Sequence, residues 1–310
     1  MHEHCNCGHT HDHDCAARNK YEAAFARHEM SYTDDQVHAA VGRLIADHRE
    51  KYDTPETLRR LLSTIELTTL TVADSDESVL GLVDKVNRFA DAHPDLPHLA
   101  TICVYPNFAE TVGQNLEADG VRVACVSGGF PSSQTFIEVK TVETALAVKD
   151  GAEEIDMVLS VGKFLSGDYE TCADEIVEIK ASAGAAPLKV ILETGALATA
   201  GQIHRAAVLS MYAGADFIKT STGKISVAAT PEAAYVMCRA IRQYFEQTGR
   251  RVGFKAAGGI RTVAEAVDFY TIVAEILGED WLKEGLFRIG TSSLLGKLCT
   301  AILGDEEHPF

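Results

Sequence analysis

The sequence predicts an α/β chain folded as a (β/α)₈ TIM barrel with an N-terminal helical extension. Three observations carry that expectation. From residue 65 onward, short β-branched apolar runs alternate with longer segments whose apolar residues fall three or four apart. Eight such units fit into roughly 240 residues, the usual count and length of a closed barrel. Several of the runs lack polar alternation, which suits strands buried on both faces of a parallel sheet. A doubly wound open sheet is the competing topology. It often carries a Gly-rich turn straight after its first strand, and none follows Ile65–Thr71.

Taken in order, residues 1–20 are polar, rich in His and Cys and without apolar periodicity, and read as a flexible tail. Residues 21–63 read as a helical layer. Val37, Val41, Leu44 and Ile45 fall at helical spacing, and Asp53-Thr54-Pro55-Glu56 starts a further helix with Thr54 as N-cap and Pro55 at its first position. Residues 64–304 form the barrel. Its predicted strands are Ile65–Thr71, Leu99–Tyr105, Val121–Ser127, Glu154–Ser160, Leu188–Thr194, Phe217–Thr222, Gly253–Ala257 and Leu286–Gly290. Between them lie helical patterns over Glu77–Ala92, Phe108–Ala118, Thr141–Lys149, Tyr169–Ala183, Gln202–Ala213, Pro231–Gln247 and Val263–Leu277. Residues 305–310 read as a short C-terminal tail.

A formal net charge of −17 argues against nucleic acid and anionic membrane as partners, because phosphate surfaces are bound by clustered Lys and Arg. An anionic small substrate would need a local positive site set in a repelling field. The N-terminal segment has no basic region followed by an apolar one, and no run approaches ~18 apolar residues, so neither a secretory signal nor a transmembrane helix is expected. Cys103, Cys125, Cys172, Cys238 and Cys299 are scattered through apolar segments, the pattern of reduced thiols in a cytoplasmic protein. His2, His4, Cys5, Cys7, His9, His11, His13 and Cys15 form a dense set of metal ligands at no structural zinc spacing. Weak adventitious metal binding by this tail is the expectation, and a metal-storage or delivery protein is the competing function class.

In a barrel the reacting groups sit at the C-terminal ends of the strands and in the loops beyond. Lys219 and Lys255 lie in apolar strands six and seven, and Asp156 lies in apolar strand four with Glu154 on its face. Lysine is almost never buried without a partner. One reading is a structural network in which Asp156 and Glu66 hold both lysines. The other is amine catalysis. Desolvation and a neighbouring cation favour the neutral, nucleophilic amine, and a carboxylate beside it can move protons. A second constellation follows strands seven and eight. Gly258-Gly259 and Gly290-Thr291-Ser292-Ser293 each lead into a helix, which reads either as tight turns and caps or as a phosphate site, with Lys224 adding charge.

The run Ala215-Asp216-Phe217-Ile218-Lys219-Thr220-Ser221-Thr222-Gly223-Lys224 resembles the Schiff-base strand of the deoxyribose-phosphate aldolases. The likeness extends over roughly residues 60–300 through Leu67-Thr68-Thr69-Leu70, Ile102-Cys103-Val104-Tyr105-Pro106, Glu154-Ile155-Asp156, Ile191-Leu192-Glu193-Thr194-Gly195, Gly253-Phe254-Lys255, Ala257-Gly258-Gly259-Ile260-Arg261 and Arg288-Ile289-Gly290. The resemblance implies a (β/α)₈ barrel and a class I aldolase of deoxyribose phosphate and deoxyribonucleotide catabolism. Such an enzyme reversibly cleaves 2-deoxy-D-ribose 5-phosphate to acetaldehyde and D-glyceraldehyde 3-phosphate, without metal or other cofactor. It makes Lys219 the imine-forming lysine, Lys255 the cation that lowers its pKa, and Asp156 the proton-transfer group. Glu66 and Cys103 become supporting residues, and Gly223, Lys224, Gly258, Gly259, Gly290, Ser292 and Ser293 the phosphate site. The partner implied is a phosphorylated deoxysugar, and a homodimer is one admissible assembly. Another Schiff-base aldolase or a transaldolase stays open. Three departures from the family pattern stand out: Glu66 replaces the usual Asp, Ala256 stands where Pro is common, and Phe310 ends the chain where some members have a tyrosine that assists proton exchange.

Overall fold

The computed structural model describes residues 21–28, 30, 32–304 and 307–310; the expectations for the His- and Cys-rich stretch 1–20 fall outside the described residues. Eight strands close into a barrel in sequence order: β1 Ile65–Thr68, β2 Thr101–Val104, β3 Arg122–Ser127, β4 Glu154–Val158, β5 Leu188–Ile191, β6 Phe217–Lys219, β7 Gly253–Ala257 and β8 Phe287–Thr291. Every neighbouring pair is parallel, and β8 returns to β1 with Ile65 level with Ile289 and Glu66 level with Gly290. The barrel is therefore the predicted one. Several predicted runs overshoot the ladder at its C-terminal end. Thr69 and Thr220 still donate to the Cys103 and Lys255 carbonyls on neighbouring strands at 3.1 and 3.0 Å, but Leu70–Thr71 and Ser221–Thr222, also strand-like in composition, leave the sheet and build loops at the mouth. β-propensity describes a side chain's fit to a pleated surface, not where hydrogen bonding stops.

The helices are α1 Asp34–Tyr52, α2 Pro55–Thr64, α3 Asp76–Ala92, α4 Ala109–Asn115, α5 Ile137–Lys149, α6 Val161–Leu165, α7 Tyr169–Ala183, α8 Ala200–Tyr212, α9 Pro231–Thr248, α10 Val263–Leu277 and α11 Leu295–Leu303. Residues 21–27 are helical as well. Helix α2 starts as read, with the Thr54 hydroxyl accepting from the Thr57 amide and Pro55 in the first turn. Ser75, Thr199, Thr230 and Thr262 cap α3, α8, α9 and α10 in the same manner. Helix α11 has Leu294 at its N-cap and no side-chain acceptor for its first N–H groups. Helix α1 buries Val37 and Val41 against α9 and α10, with Leu44 and Ile45 half-buried beside them. The C-terminus is docked rather than loose. The Phe310 ring sits 5.5 Å from that of Phe89 on α3, and its backbone approaches Gly296 on α11 closely enough that a Cβ there would lie 3.2 Å from the Phe310 carbonyl carbon.

The apolar core fills the layer between strands and helices. The barrel's axis is different. Glu66, Glu154, Asp156, Lys189, Lys219, Lys255 and Arg288 are all buried, and all interact inside the ring of strands. Among the described residues no helix is long and apolar enough to cross a membrane.

Candidate active site

Residues two apart on a strand share a face, so Glu154 and Asp156 both point inward, with Asp156 nearer the C-terminal mouth. The register then brings distant residues together. Asp156 lies level with Lys189 across β4 and β5, Lys219 with Lys255 across β6 and β7, and Lys255 with Arg288 across β7 and β8. Gly290 on β8 leaves room for this. A Cβ there would lie 3.0 Å from both Lys255 Cε and Ala257 Cβ, so the missing side chain gives Lys255 its path to the axis.

Lys219 Nζ donates to Asp156 Oδ2 at 2.8 Å, and Lys255 Nζ donates to the same oxygen at 2.6 Å. Lys255 also donates to Glu66. Lys189 Nζ donates to Asp156 Oδ1 at 2.9 Å and pairs with Glu154 at 2.6 Å. Below them Arg288 grips Glu154 at 3.0 and 3.1 Å and reaches Glu66 at 2.8 Å. Both oxygens of Asp156 are thus held by lysines, and its orientation is fixed from two sides.

Charge balance decides which lysine is free to be neutral. Four buried cations (Lys189, Lys219, Lys255 and Arg288) face three carboxylates (Glu66, Glu154 and Asp156), and the half-exposed Arg122 adds a fifth against Glu154 at 2.8 Å. Burial, followed by the charge on Lys255, holds the Lys219 amine below the usual lysine value against the pull of Asp156. Burial also works against the charged form of Lys255, but Asp156 and Glu66 outweigh it and hold that amine above its usual value. Asp156 is kept well below the ordinary carboxylate range, burial notwithstanding, by Lys189, Lys219 and Lys255. With Lys219 neutral, three buried cations match three carboxylates. The structural network and the reactive amine are therefore one arrangement seen from two sides.

Cys103 is fully buried beside this cluster, and burial pushes its thiol up, so it stays neutral. The ligand atoms of Glu66, Cys103 and Asp156 lie within 4.8 Å of one another, but the lysines already occupy both carboxylates. A divalent cation there would have to displace Lys255 from its two partners.

Lys219 opens into a cavity of about 260 Å³ at the mouth, lined on its far side by Gly223, Lys224, Gly258, Gly259, Gly290, Ser292 and Ser293. The Gly pairs have a steric cause. Gly223, Gly258 and Gly259 have φ of +75°, +89° and +83°, and a Cβ on Gly258 would lie 2.8 Å from Ala228 Cβ and 3.1 Å from Gly223 Cα. Two loops meet there backbone to backbone, beside the uncapped start of α11. Lys224 Nζ donates to the Leu70 carbonyl across the mouth, from β6 to β1. Ser292 and Ser293 are exposed in the same wall. Gly290 differs from the rest of the proposed phosphate group: it is buried in β8 and makes room for Lys255.

Three features went unread in the sequence. Lys189 sits in Leu188-Lys189-Val190-Ile191, and the rule that singled out Lys219, a lysine inside an apolar strand, would have found it. Arg288 carried the same signal on strand eight. Glu193 has φ +56° and is buried; its carboxylate accepts from the Thr222 amide at 3.2 Å and from the Thr222 hydroxyl. It clamps the loop that follows Lys219, a long-range contact with no local signature.

The model of the DeoC/LacD family aldolases matches residues 64–295. Similar proteins include the human deoxyribose-phosphate aldolase, 41% identical over 251 residues, covering 78% of this chain and 79% of that one. The mouse enzyme of the same name is 46% identical over 201 residues, covering 64% and 63%. Among solved structures, the tetrameric deoxyribose phosphate aldolase from Aeropyrum pernix superposes with a TM-score of 0.64 at 28% identity, over 83% of this chain and 96% of that one.

Proposed function

The chain belongs to the DeoC/LacD family of aldolases, and from that premise we propose that it reversibly cleaves 2-deoxy-D-ribose 5-phosphate to acetaldehyde and D-glyceraldehyde 3-phosphate. The observation that carries the reading is the shared Asp156 oxygen, 2.8 Å from Lys219 and 2.6 Å from Lys255, at the base of a cavity with a Gly-rich, cationic far wall. The neutral Lys219 amine adds to the C1 aldehyde of the open-chain sugar. Asp156 moves protons as the carbinolamine forms and loses water, leaving a protonated imine. That cation is the electron sink: the C3 hydroxyl loses its proton, the C2–C3 bond breaks, glyceraldehyde 3-phosphate departs, and an enamine remains on Lys219. Protonation of the enamine carbon and hydrolysis release acetaldehyde and return the amine. The direct test is release of glyceraldehyde 3-phosphate from this sugar, followed with a coupled dehydrogenase. No release at millimolar substrate, with the chain folded, would overturn the assignment.

The far wall of the cavity takes the phosphate in this reading. Loops after the seventh and eighth strands and an uncapped helix start are where barrels bind it, and Lys224 exchanges its hold on Leu70 for the anion. Ser292→Ala and Lys224→Ala should each lower kcat/KM for the phosphorylated sugar by roughly ten- to a hundredfold, the worth of a charged hydrogen bond, and should barely change turnover of unphosphorylated deoxyribose. Equal proportional losses on both sugars would mean that these residues do not hold phosphate.

The imine does the work a Lewis acid would do, and the carboxylates beside it are engaged by lysines. Turnover should therefore be unchanged after dialysis against EDTA; loss of most activity, restored by zinc, would refute this and bring the His- and Cys-rich segment into the mechanism. Cys103, Cys125, Cys172, Cys238 and Cys299 are free and buried, which supports a reducing compartment such as the cytoplasm.

A further inference from the structure

Glu193 stands in a conformation that residues with a Cβ rarely adopt. Its φ of +56° lies in the left-handed region, and its side chain is buried. Such a backbone persists only where its surroundings over-determine it, and it tends to occur at functional sites. Here the surroundings are β6. Leu192 and Thr194, on either side of Glu193, donate to the Lys219 and Thr220 carbonyls at 2.9 Å each. Between them the Glu193 carboxylate reaches Thr222, accepting from its amide at 3.2 Å and from its hydroxyl. As far as Thr220 the Schiff-base strand is held without Glu193. The Thr220 amide donates to the Lys255 carbonyl at 3.0 Å, and its hydroxyl donates to the Ala257 carbonyl at 3.0 Å. Beyond Thr220 the loop's tie to the end of β5 passes to side chains: Glu193 on Thr222, and a long 3.5 Å contact between the Thr194 and Ser221 hydroxyls.

What Glu193 holds is the start of the cavity's far wall. The Thr222 hydroxyl gives its proton to Glu193 and turns a lone pair to the Lys224 amide, which donates to it at 3.1 Å. That bond, from residue i+2 back to a threonine hydroxyl, closes a tight turn over Gly223, whose φ is +75°. Amide, hydroxyl and carboxylate thus form one chain of hydrogen bonds from Lys224 through Thr222 to Glu193. Gly223 at the crest is the residue that Gly258 packs against, and the Lys224 side chain leaves the turn to cross the mouth. Thr222, Gly223 and Lys224 line the cavity, whereas Glu193 does not. Glu193 can therefore act on a bound molecule only through the turn it fixes.

We propose that Glu193 is a positioning residue for the phosphate grip: by fixing Thr222 it sets the Gly223 turn and the Lys224 side chain, and so governs affinity for the phosphorylated sugar and not the imine chemistry at Lys219. The inference rests on the phosphate reading of the far wall, and the variants below keep the two apart. Glu193→Gly removes the carboxylate at a φ that glycine adopts freely, so backbone strain cannot account for a loss. It should lower kcat/KM for deoxyribose 5-phosphate about tenfold, chiefly through KM, the scale of a lost buried hydrogen bond. Turnover of unphosphorylated deoxyribose and the borohydride-trapped acetaldehyde adduct should stay close to wild type. Glu193→Gln keeps the length and one acceptor and should recover most of the affinity. Thr222→Val breaks the chain from its other end, and adding Glu193→Gly to it should cost nothing more; if Glu193→Gly fails to fold, Thr222→Val and Glu193→Gln decide by the same comparison. Lys224→Ala is the control on the phosphate reading. If it harms the phosphorylated sugar alone while the Glu193 and Thr222 variants leave that sugar untouched, or slow both sugars alike, the proposal is overturned and the phosphate reading stands. If Lys224→Ala itself slows both sugars alike, the phosphate reading falls and the proposal with it.

Discussion

Lys219→Arg should abolish turnover, by at least ~10⁴-fold, and with it the adduct that borohydride traps from acetaldehyde. Arginine keeps a positive charge next to Asp156, so the network around it is not left with an orphaned carboxylate and the barrel should fold. Its guanidinium stays protonated and cannot form an imine. The geometry favours Lys219 over its neighbour for a reason independent of sequence likeness. Lys255 donates to two carboxylates and is needed as a cation, whereas Lys219 has one such contact and faces the cavity. Peptide mapping after borohydride reduction of the wild type with acetaldehyde locates the label. A label on Lys255, or a Lys219→Arg protein that still traps acetaldehyde, would reverse the roles assigned to the two lysines.

The barrel could be read from the sequence because its evidence is repeated and local. Eight apolar runs and the helical patterns between them each report on a few consecutive residues, and the Thr54-Pro55 helix start is a contact within one turn. The strand ends could not be read, since Leu70–Thr71 and Ser221–Thr222 look like strand but leave the ladder. The site was legible in its parts. A lysine or carboxylate inside an apolar strand is anomalous on its own, which exposed Lys219, Lys255 and Asp156. What the sequence withholds is convergence. Glu66, Asp156, Lys189 and Arg288 come from β1, β4, β5 and β8, and only barrel closure and register place them within hydrogen-bonding reach. The same limit explains Gly290. It lines the cavity with Ser292 and Ser293, but that it also makes room for Lys255 depends on a residue 35 positions earlier in the chain, brought beside it only by the pairing of β7 with β8. Phe310 is a third case: the lack of a hydroxyl was plain, but that its ring docks on Phe89 is a tertiary fact.

Lys255→Met should move the acid limb of the pH–rate profile to higher pH, and the sign follows from the charge balance. In the wild type Lys189, Lys255 and Arg288 match Glu66, Glu154 and Asp156, and Lys219 can be neutral. Remove the Lys255 charge and the only buried cations left to the three carboxylates besides Lys219 are Lys189 and Arg288, the half-exposed Arg122 reaching Glu154 alone. Lys219 is then the nearest group that can restore balance, and it does so by holding its proton against Asp156 at 2.8 Å. Loss of Lys255 also removes the repulsion that lowers the Lys219 amine. Both effects raise the Lys219 pKa. Activity depends on the neutral amine, so it falls as pH drops through that pKa, and each unit of upward shift costs about tenfold at a fixed pH below it. At neutral pH the loss should be roughly a hundredfold or more, partly recovered in alkaline buffer. Lys255→Arg keeps the charge, so its limb should stay close to the wild-type position, although the bulkier guanidinium has to fit the path that Gly290 leaves for a lysine, which should slow turnover. The two variants separate charge from shape, and measuring kcat/KM against pH for both reads the difference. If Lys255→Met lowers activity equally at every pH, with the limb unmoved, Lys255 does not act by depressing the Lys219 pKa, and its contribution lies in proton transfer or packing.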